Sequence, residues 1–115
     1  MADLTLPLEI TPTEVKKLLE SGHPVKLIDV REPSEHRMAR IDGAELMPMR
    51  SVPGRLSELQ AHSATAALII LCHHGVRSLR VACWLREQGL SRCHSMAGGI
   101  DRWSLEVDPA VPRYS

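Results

Sequence analysis

The chain reads as an α/β domain in which about five mainly parallel strands form one sheet with helices on both faces. Three observations predict this. Short apolar runs suited to buried strands alternate with segments of helical periodicity, and glycine and proline punctuate the joins. A length of 115 residues with 43% apolar content suits one domain with one modest core.

Thr11, Pro12 and Glu14 supply an N-cap, a first-turn proline and a capping-box acid, so a helix should run through "VKKLLE" and stop at Gly22. "VKLIDV" then reads as a buried strand. Residues 31–43 are polar and include Pro33 and Gly43, which predicts a long connection with one helical turn around 34–38. "AELMPM" reads as a short second strand. Leu56 and Leu59, after Pro53 and Gly54, sit at helical spacing, and "AALIILC" is the most apolar run and the best central strand.

A helix should follow Gly75 directly, because Ser78, Val81, Ala82 and Leu85 form an i, i+3, i+4, i+7 stripe that Gly89 ends. "CHSMAGG" predicts one more short strand, "GIDRWSLE" a helical turn or two, and a proline-bearing tail follows. The expected division is a single domain over 1–115 with a core of about 11–105 and a tail of 106–115. In such a sheet, the carboxyl edge of the strands forms the ligand crevice.

Composition excludes several function classes. No apolar run approaches the roughly 18 residues needed to span a bilayer. "MADLTLPLEITP" lacks the basic start and apolar middle of a secretory signal, so a cytoplasmic location is expected. Three cysteines in a reducing compartment are expected to be thiols. Lys plus Arg and Asp plus Glu both number 14, which leaves no global field to recruit nucleic acid or a membrane. Eleven arginines against three lysines favour planar, bidentate anion contacts at a local site. A monomer or weak homodimer is the expected assembly.

The chemistry concentrates in "CHHGVR". Cys72 closes the apolar strand, so its side chain should emerge at the carboxyl edge, where the loop turns into the next helix. Such a loop points backbone N–H groups inward, and the helix dipole adds partial positive charge, so the bowl favours an anion. A thiolate is an anion, and with Arg77 at the rim Cys72 becomes a candidate nucleophile. Gly75 permits the turn, Ser78 offers a hydroxyl in the first helical turn, and His73 and His74 could add donors or positive charge.

These residues resemble the rhodanese family of sulfurtransferases, whose active loop is a cysteine, four residues and an arginine, matched by Cys72 and Arg77. "LIDVREPSE" is similar to the family's first signature, "GVRSLRVACWLREQGL" to its active-loop helix, and "MAGGIDRW" to its closing glycine pair and tryptophan. The motifs run in order from about Thr11 to Leu105. The resemblance implies a rhodanese-like three-layer fold and a Cys72 persulfide. A sulfane sulfur would move from a small donor such as thiosulfate to cyanide, a thiol or a protein acceptor. His73, His74, Gly75, Val76, Arg77 and Ser78 would bind substrate, with Asp29, Arg31 and Arg40 in support, and neither a cofactor nor a metal is implied.

Related phosphatases and arsenate reductases carry one more loop residue to hold a tetrahedral oxyanion, and this loop has the shorter length. A persulfide carrier or binding module serving a protein partner would use the same chemistry. The chain departs from the family pattern at one point. Where an aromatic, a glycine and a histidine are usual, it has His36, Ala39 and Arg40 before Ile41, Gly43 and Ala44. Arg40 near the crevice would add an anion contact and change the preferred donor.

Other residues carry plainer readings. Cys83 and Cys93 read as packing residues. Zinc is disfavoured at Cys72, His73, His74, Cys83, Cys93 and His94, because their spacing lacks the two short-gapped ligand arms of a structural site. Asp29 and Arg31 read as an ion-pair bracket at the sheet edge, and Trp103 as core packing.

Overall fold

The computed structural model describes residues 6–115; the first five residues, part of the segment read above for a secretory signal, lie outside the described residues. Five strands form a single sheet: β1 (Glu9–Ile10), β2 (Val25–Asp29), β3 (Glu45–Leu46), β4 (Ala67–Leu71) and β5 (Cys93–Met96). Every pairing is parallel and the spatial order is β1-β5-β4-β2-β3. The helices are α1 (Pro12–Glu20), α2 (Pro33–Met38), α3 (Leu56–Ser63), α4 (Val76–Glu87) and α5 (Gly99–Glu106), with two 3₁₀ turns at Met49–Ser51 and Pro53–Arg55.

The central strand is the one its composition marks. All five residues of β4 are buried, and strand alternation divides its side chains between two cores. Leu68 and Ile70 meet Leu59 of α3 and Val81 and Leu85 of α4 on one face. Ile69 and Leu71 meet Val15 of α1 and Ile100 and Trp103 of α5 on the other. Each such side chain contributes about 1.5–3 kcal/mol on burial, and truncating Ile69 or Ile70 to alanine should cost about 2–5 kcal/mol.

Local signals also hold. Glu14 N–H donates to Thr11 Oγ1 at 3.1 Å and Thr11 N–H to Glu14 Oε1 at 2.9 Å, the reciprocal capping box that starts α1. The turn expected around 34–38 is a short helix beginning at Pro33. Two features differ from the expectation. β1 has two residues, too few for any periodicity, and pairs with β5. Cys83 is exposed, because it follows buried Ala82 by one position and so lies about 100° round the helix. Cys93 is buried in β5 as expected, and burial pushes its thiol up to about 12.

The register positions the site. Asp29 sits opposite Leu71 and Ser95 opposite Ile70, so β2 and β5 flank the strand that delivers Cys72. Their carboxyl ends share one edge.

Candidate active site

Cys72 leaves β4 with 1% of its surface exposed. Its sulfur lies where the following chain curls around it. Gly75 N–H approaches Sγ at 3.1 Å and Ser78 N–H at 3.3 Å, while Ser78 Oγ stands 3.4 Å away. Gly75 makes the curl possible with φ +99°, and a Cβ there would lie 3.0 Å from Gly98 N. Among the described residues, the backbone N–H groups of His73, His74, Val76 and Arg77 donate to no protein acceptor. The loop is a ring of donors with a sulfur at its floor.

The first turn of α5 holds the outside of that ring. Ile100 N–H donates to Cys72 O at 2.8 Å and Asp101 N–H to His73 O at 3.1 Å. Turning these carbonyls outward turns the adjoining N–H groups inward. The approach requires Gly99, which has φ +60° and whose added Cβ would meet both carbonyl oxygens at 2.4 Å. The glycine pair noted in the sequence is therefore the clamp on the loop.

A second layer braces the loop from the side. Arg31 and Asp29 are fully buried. Arg31 Nε donates to Asp29 Oδ1 at 2.9 Å and Nη2 to Oδ2 at 2.7 Å, with further bonds to Ala39 O, Glu35 O and Tyr114 Oη. Every guanidinium donor is thereby used. Burial opposes the Arg31 charge, yet the bonds to Asp29 and Tyr114 outweigh it and raise its proton affinity.

Glu35 joins this bracket to the loop. Arg77 forks onto it through Nη1 at 2.6 Å and Nη2 at 2.9 Å, and the Tyr114 hydroxyl donates to Oε2 at 2.8 Å. The Arg77 bond holds the Glu35 carboxyl down at about 2. The same pair raises Arg77, and burial pushes the Tyr114 phenol up to about 12. Tyr114 also stacks on His73 and accepts from its Nε2 through the backbone carbonyl at 2.9 Å. That bond fixes the proton on Nε2.

Of the residues expected from sequence, the structure gathers Cys72, Gly75 and Ser78 at the sulfur and sets Asp29 and Arg31 beneath the loop. Arg77 stands at the rim with its guanidinium tied to Glu35. His73 lies under the tail, whereas His74 and Val76 are exposed at the loop's outer surface. Arg40 is elsewhere: it is exposed and lines a cavity of about 520 Å³ with Lys16, Arg37, Ile41 and Trp103, to which no residue of 72–78 contributes. Among the described residues the only cluster with metal-ligand proximity is Glu45, Glu58 and His62, which includes no residue of the loop.

Sequence reasoning missed Glu35, Tyr114 and Ser95. Glu35 lay within the quoted "REPSE" without a role, and its place two residues after a helix-starting proline was the available signal. Tyr114 had none, since it reaches the loop from 42 to 41 residues downstream of Cys72 and His73. Ser95 contacts Ser78 Oγ at 2.7 Å from the middle of a segment read only as a short strand.

Comparison with known proteins identifies the fold family. The family model described as "Rhodanese-like domain" matches residues 11–106. The chain is 40% identical over 93 residues to the Rhodanese-like/PpiC domain-containing protein 12, chloroplastic, of Arabidopsis thaliana, covering 77% of this chain and 30% of that protein. It is 30% identical over 94 residues to the thiosulfate sulfurtransferase GlpE of Pseudomonas aeruginosa, covering 82% and 81%. The crystal structure of SSP1007 from Staphylococcus saprophyticus superposes with a TM-score of 0.76 at 32% identity, covering 93% of this chain and all of that one. The chain spans less than a third of the first curated relatives' length. The matched residues 11–106 span β4, the loop after it and α5, and the chain belongs to the rhodanese-like domain family.

Proposed function

We propose that the chain is a sulfurtransferase that accepts a sulfane sulfur on Cys72 from a small anionic donor such as thiosulfate and passes it to a thiophilic acceptor. The observation that carries this is the convergence of Gly75 N–H, Ser78 N–H and the Ser78 hydroxyl on Cys72 Sγ. Those donors stabilise negative charge on sulfur, and the unpaired N–H groups of the loop can face a second, incoming anion.

The step balances. The Cys72 thiolate attacks the outer sulfur of thiosulfate, a sulfur–sulfur bond forms, and sulfite leaves with the electron pair of the bond that breaks. The persulfide then carries the single negative charge. Cyanide or a thiolate attacks its terminal sulfur, and Cys72 departs as thiolate. In this scheme Arg77 shapes the rim through Glu35, and the backbone supplies most of the donors. A reducing, cytoplasmic setting would keep Cys72 available for the cycle.

The exposure of Val76, at 65%, and of His74 beside the loop favours a second reading in which the persulfide serves a protein acceptor. An apolar rim residue next to a reactive centre suits contact with a partner's surface. Kinetics separate the two, since saturable acceleration by an acceptor protein with weak turnover on thiosulfate alone favours the carrier.

Intact-mass and peptide mass spectrometry after thiosulfate treatment test the central reading. One added sulfur on the Cys72 peptide, removable by cyanide and absent in Cys72→Ala, is the expected result. No added sulfur, or full transfer activity in Cys72→Ala, overturns it. Turnover of a phenyl phosphate that is lost in Cys72→Ser would point to oxyanion chemistry instead.

A further inference from the structure

A serine hydroxyl buried in a strand is costly unless it is hydrogen-bonded. Ser95 is 0% exposed in β5, and among the described residues its Oγ has one hydrogen-bond partner, Ser78 Oγ at 2.7 Å. Ser78 is also 0% exposed and lies 3.4 Å from Cys72 Sγ. The three atoms form a chain with two links.

Counting hydrogens decides what this chain prefers. With a thiol, Sγ and the two hydroxyls carry three hydrogens for two links, so one hydrogen is left over whichever way the hydroxyls rotate. With a thiolate, two hydrogens fill two links: Ser95 donates to Ser78, and Ser78 donates to sulfur. The network is complete only when the sulfur is an anion, and an unfilled buried donor is penalised.

We propose that Ser95 is a positioning residue for sulfur transfer: its hydroxyl donates to Ser78 Oγ and so directs the Ser78 hydrogen onto the Cys72 thiolate. This rests on the sulfurtransferase reading of Cys72. It acts twice in the cycle, first when the thiolate attacks the donor and again when Cys72 leaves as thiolate from the persulfide. The change between states needs two hydroxyl rotations, and the proton lost from sulfur goes to solvent.

The test is a pH titration of thiolate ultraviolet absorbance, read for each protein against its Cys72→Ala counterpart so that Cys83 and Cys93 cancel. The charged and titratable groups around the loop are Arg77 on α4, His73 and His74 in the loop, Asp29 of β2 and Arg31 after it, Glu35 on α2, Asp101 on α5 and Tyr114 in the tail, and all are unchanged in the variants. Ser95→Ala should raise the midpoint by about one pH unit, and Ser95→Thr, which keeps the hydroxyl, should restore it. Because Ser95 acts through Ser78, the Ser78→Ala, Ser95→Ala double variant should move no further than Ser78→Ala alone. An unmoved midpoint in Ser95→Ala, or shifts that add in the double variant, would overturn the proposal. Absence of sulfur uptake by the wild type would refute the sulfur-transfer role and leave this titration intact, so the two failures are distinct.

Discussion

The Tyr114 ring lies flat on His73, with centroids 3.9 Å apart and planes 9° from parallel, while the Tyr114 hydroxyl bridges Arg31 and Glu35. One residue of the C-terminal tail thus touches the active loop through its face, its backbone and its hydroxyl. Arg113, paired with Asp101 of α5 at 2.9 Å, fastens the same tail to the clamp helix.

Tyr114→Phe keeps the stack and removes the bridge. It should destabilise the fold by about 1–2 kcal/mol, since Arg31 loses an acceptor and Glu35 a donor. Tyr114→Ala removes both and should also speed hydrogen exchange at amides 73–77. Denaturant unfolding and exchange mass spectrometry read the two effects; equal behaviour of the two variants would deny the stack any part in holding the loop.

Asp29→Asn should cost more than either, about 3–5 kcal/mol, because it leaves the fully buried Arg31 charge without its main counter-ion. Replacing both Asp29 and Arg31 with apolar residues should cost less than the two single changes together. Urea midpoints of the three variants decide this.

The Glu35 carboxyl sits at about 2 in the folded chain because Arg77 donates to it, against an ordinary 4.5. A depressed folded value adds stability above about pH 4.5, and that contribution is lost as the pH falls from there toward 2. Glu35→Gln should therefore flatten the acid limb of the stability curve in that window. A mutant curve parallel to the wild type through pH 2–4.5 would contradict the Arg77 pairing.

Gly99→Ala should misplace the loop, because its Cβ would collide with the Cys72 and His73 carbonyls. Sulfur uptake should fall by at least about tenfold, the effect of about 1.4 kcal/mol of lost transition-state stabilisation. Gly54→Ala is the control, since nothing lies within 4 Å of its added Cβ and its φ is not positive. If Gly99→Ala retains wild-type uptake, α5 does not govern the loop.

Native-state labelling should separate the remaining cysteines. Cys83 is exposed and should react with a thiol reagent in the folded protein, whereas Cys93, buried and pushed up to about 12, should react only on unfolding. Rapid labelling of Cys93 would place β5 differently.

The sheet and the loop were legible because their signals are local. "AALIILC" declares a buried strand, Thr11 with Glu14 declares a helix start, and "CHHGVR" carries its chemistry in adjacent residues. Contacts between distant segments left no such trace. β1 is too short for periodicity, the Glu35–Arg77 fork joins residues 42 apart, and Tyr114 meets Arg31 across 83 residues. Cys83 shows a finer limit: a helical stripe predicts which positions face the core, and a neighbour one step round the helix falls outside it.

The groups nearest the sulfur are mostly backbone N–H groups, and α5 fixes the loop through backbone carbonyls. The reacting atom therefore depends little on what side chains His74 and Val76 carry, and both are exposed. This divides the loop into a fixed frame of peptide groups and a freely rewritable rim. Selection, or a designer, could exchange those two rim residues to fit a new sulfur acceptor while the thiolate keeps the same cradle.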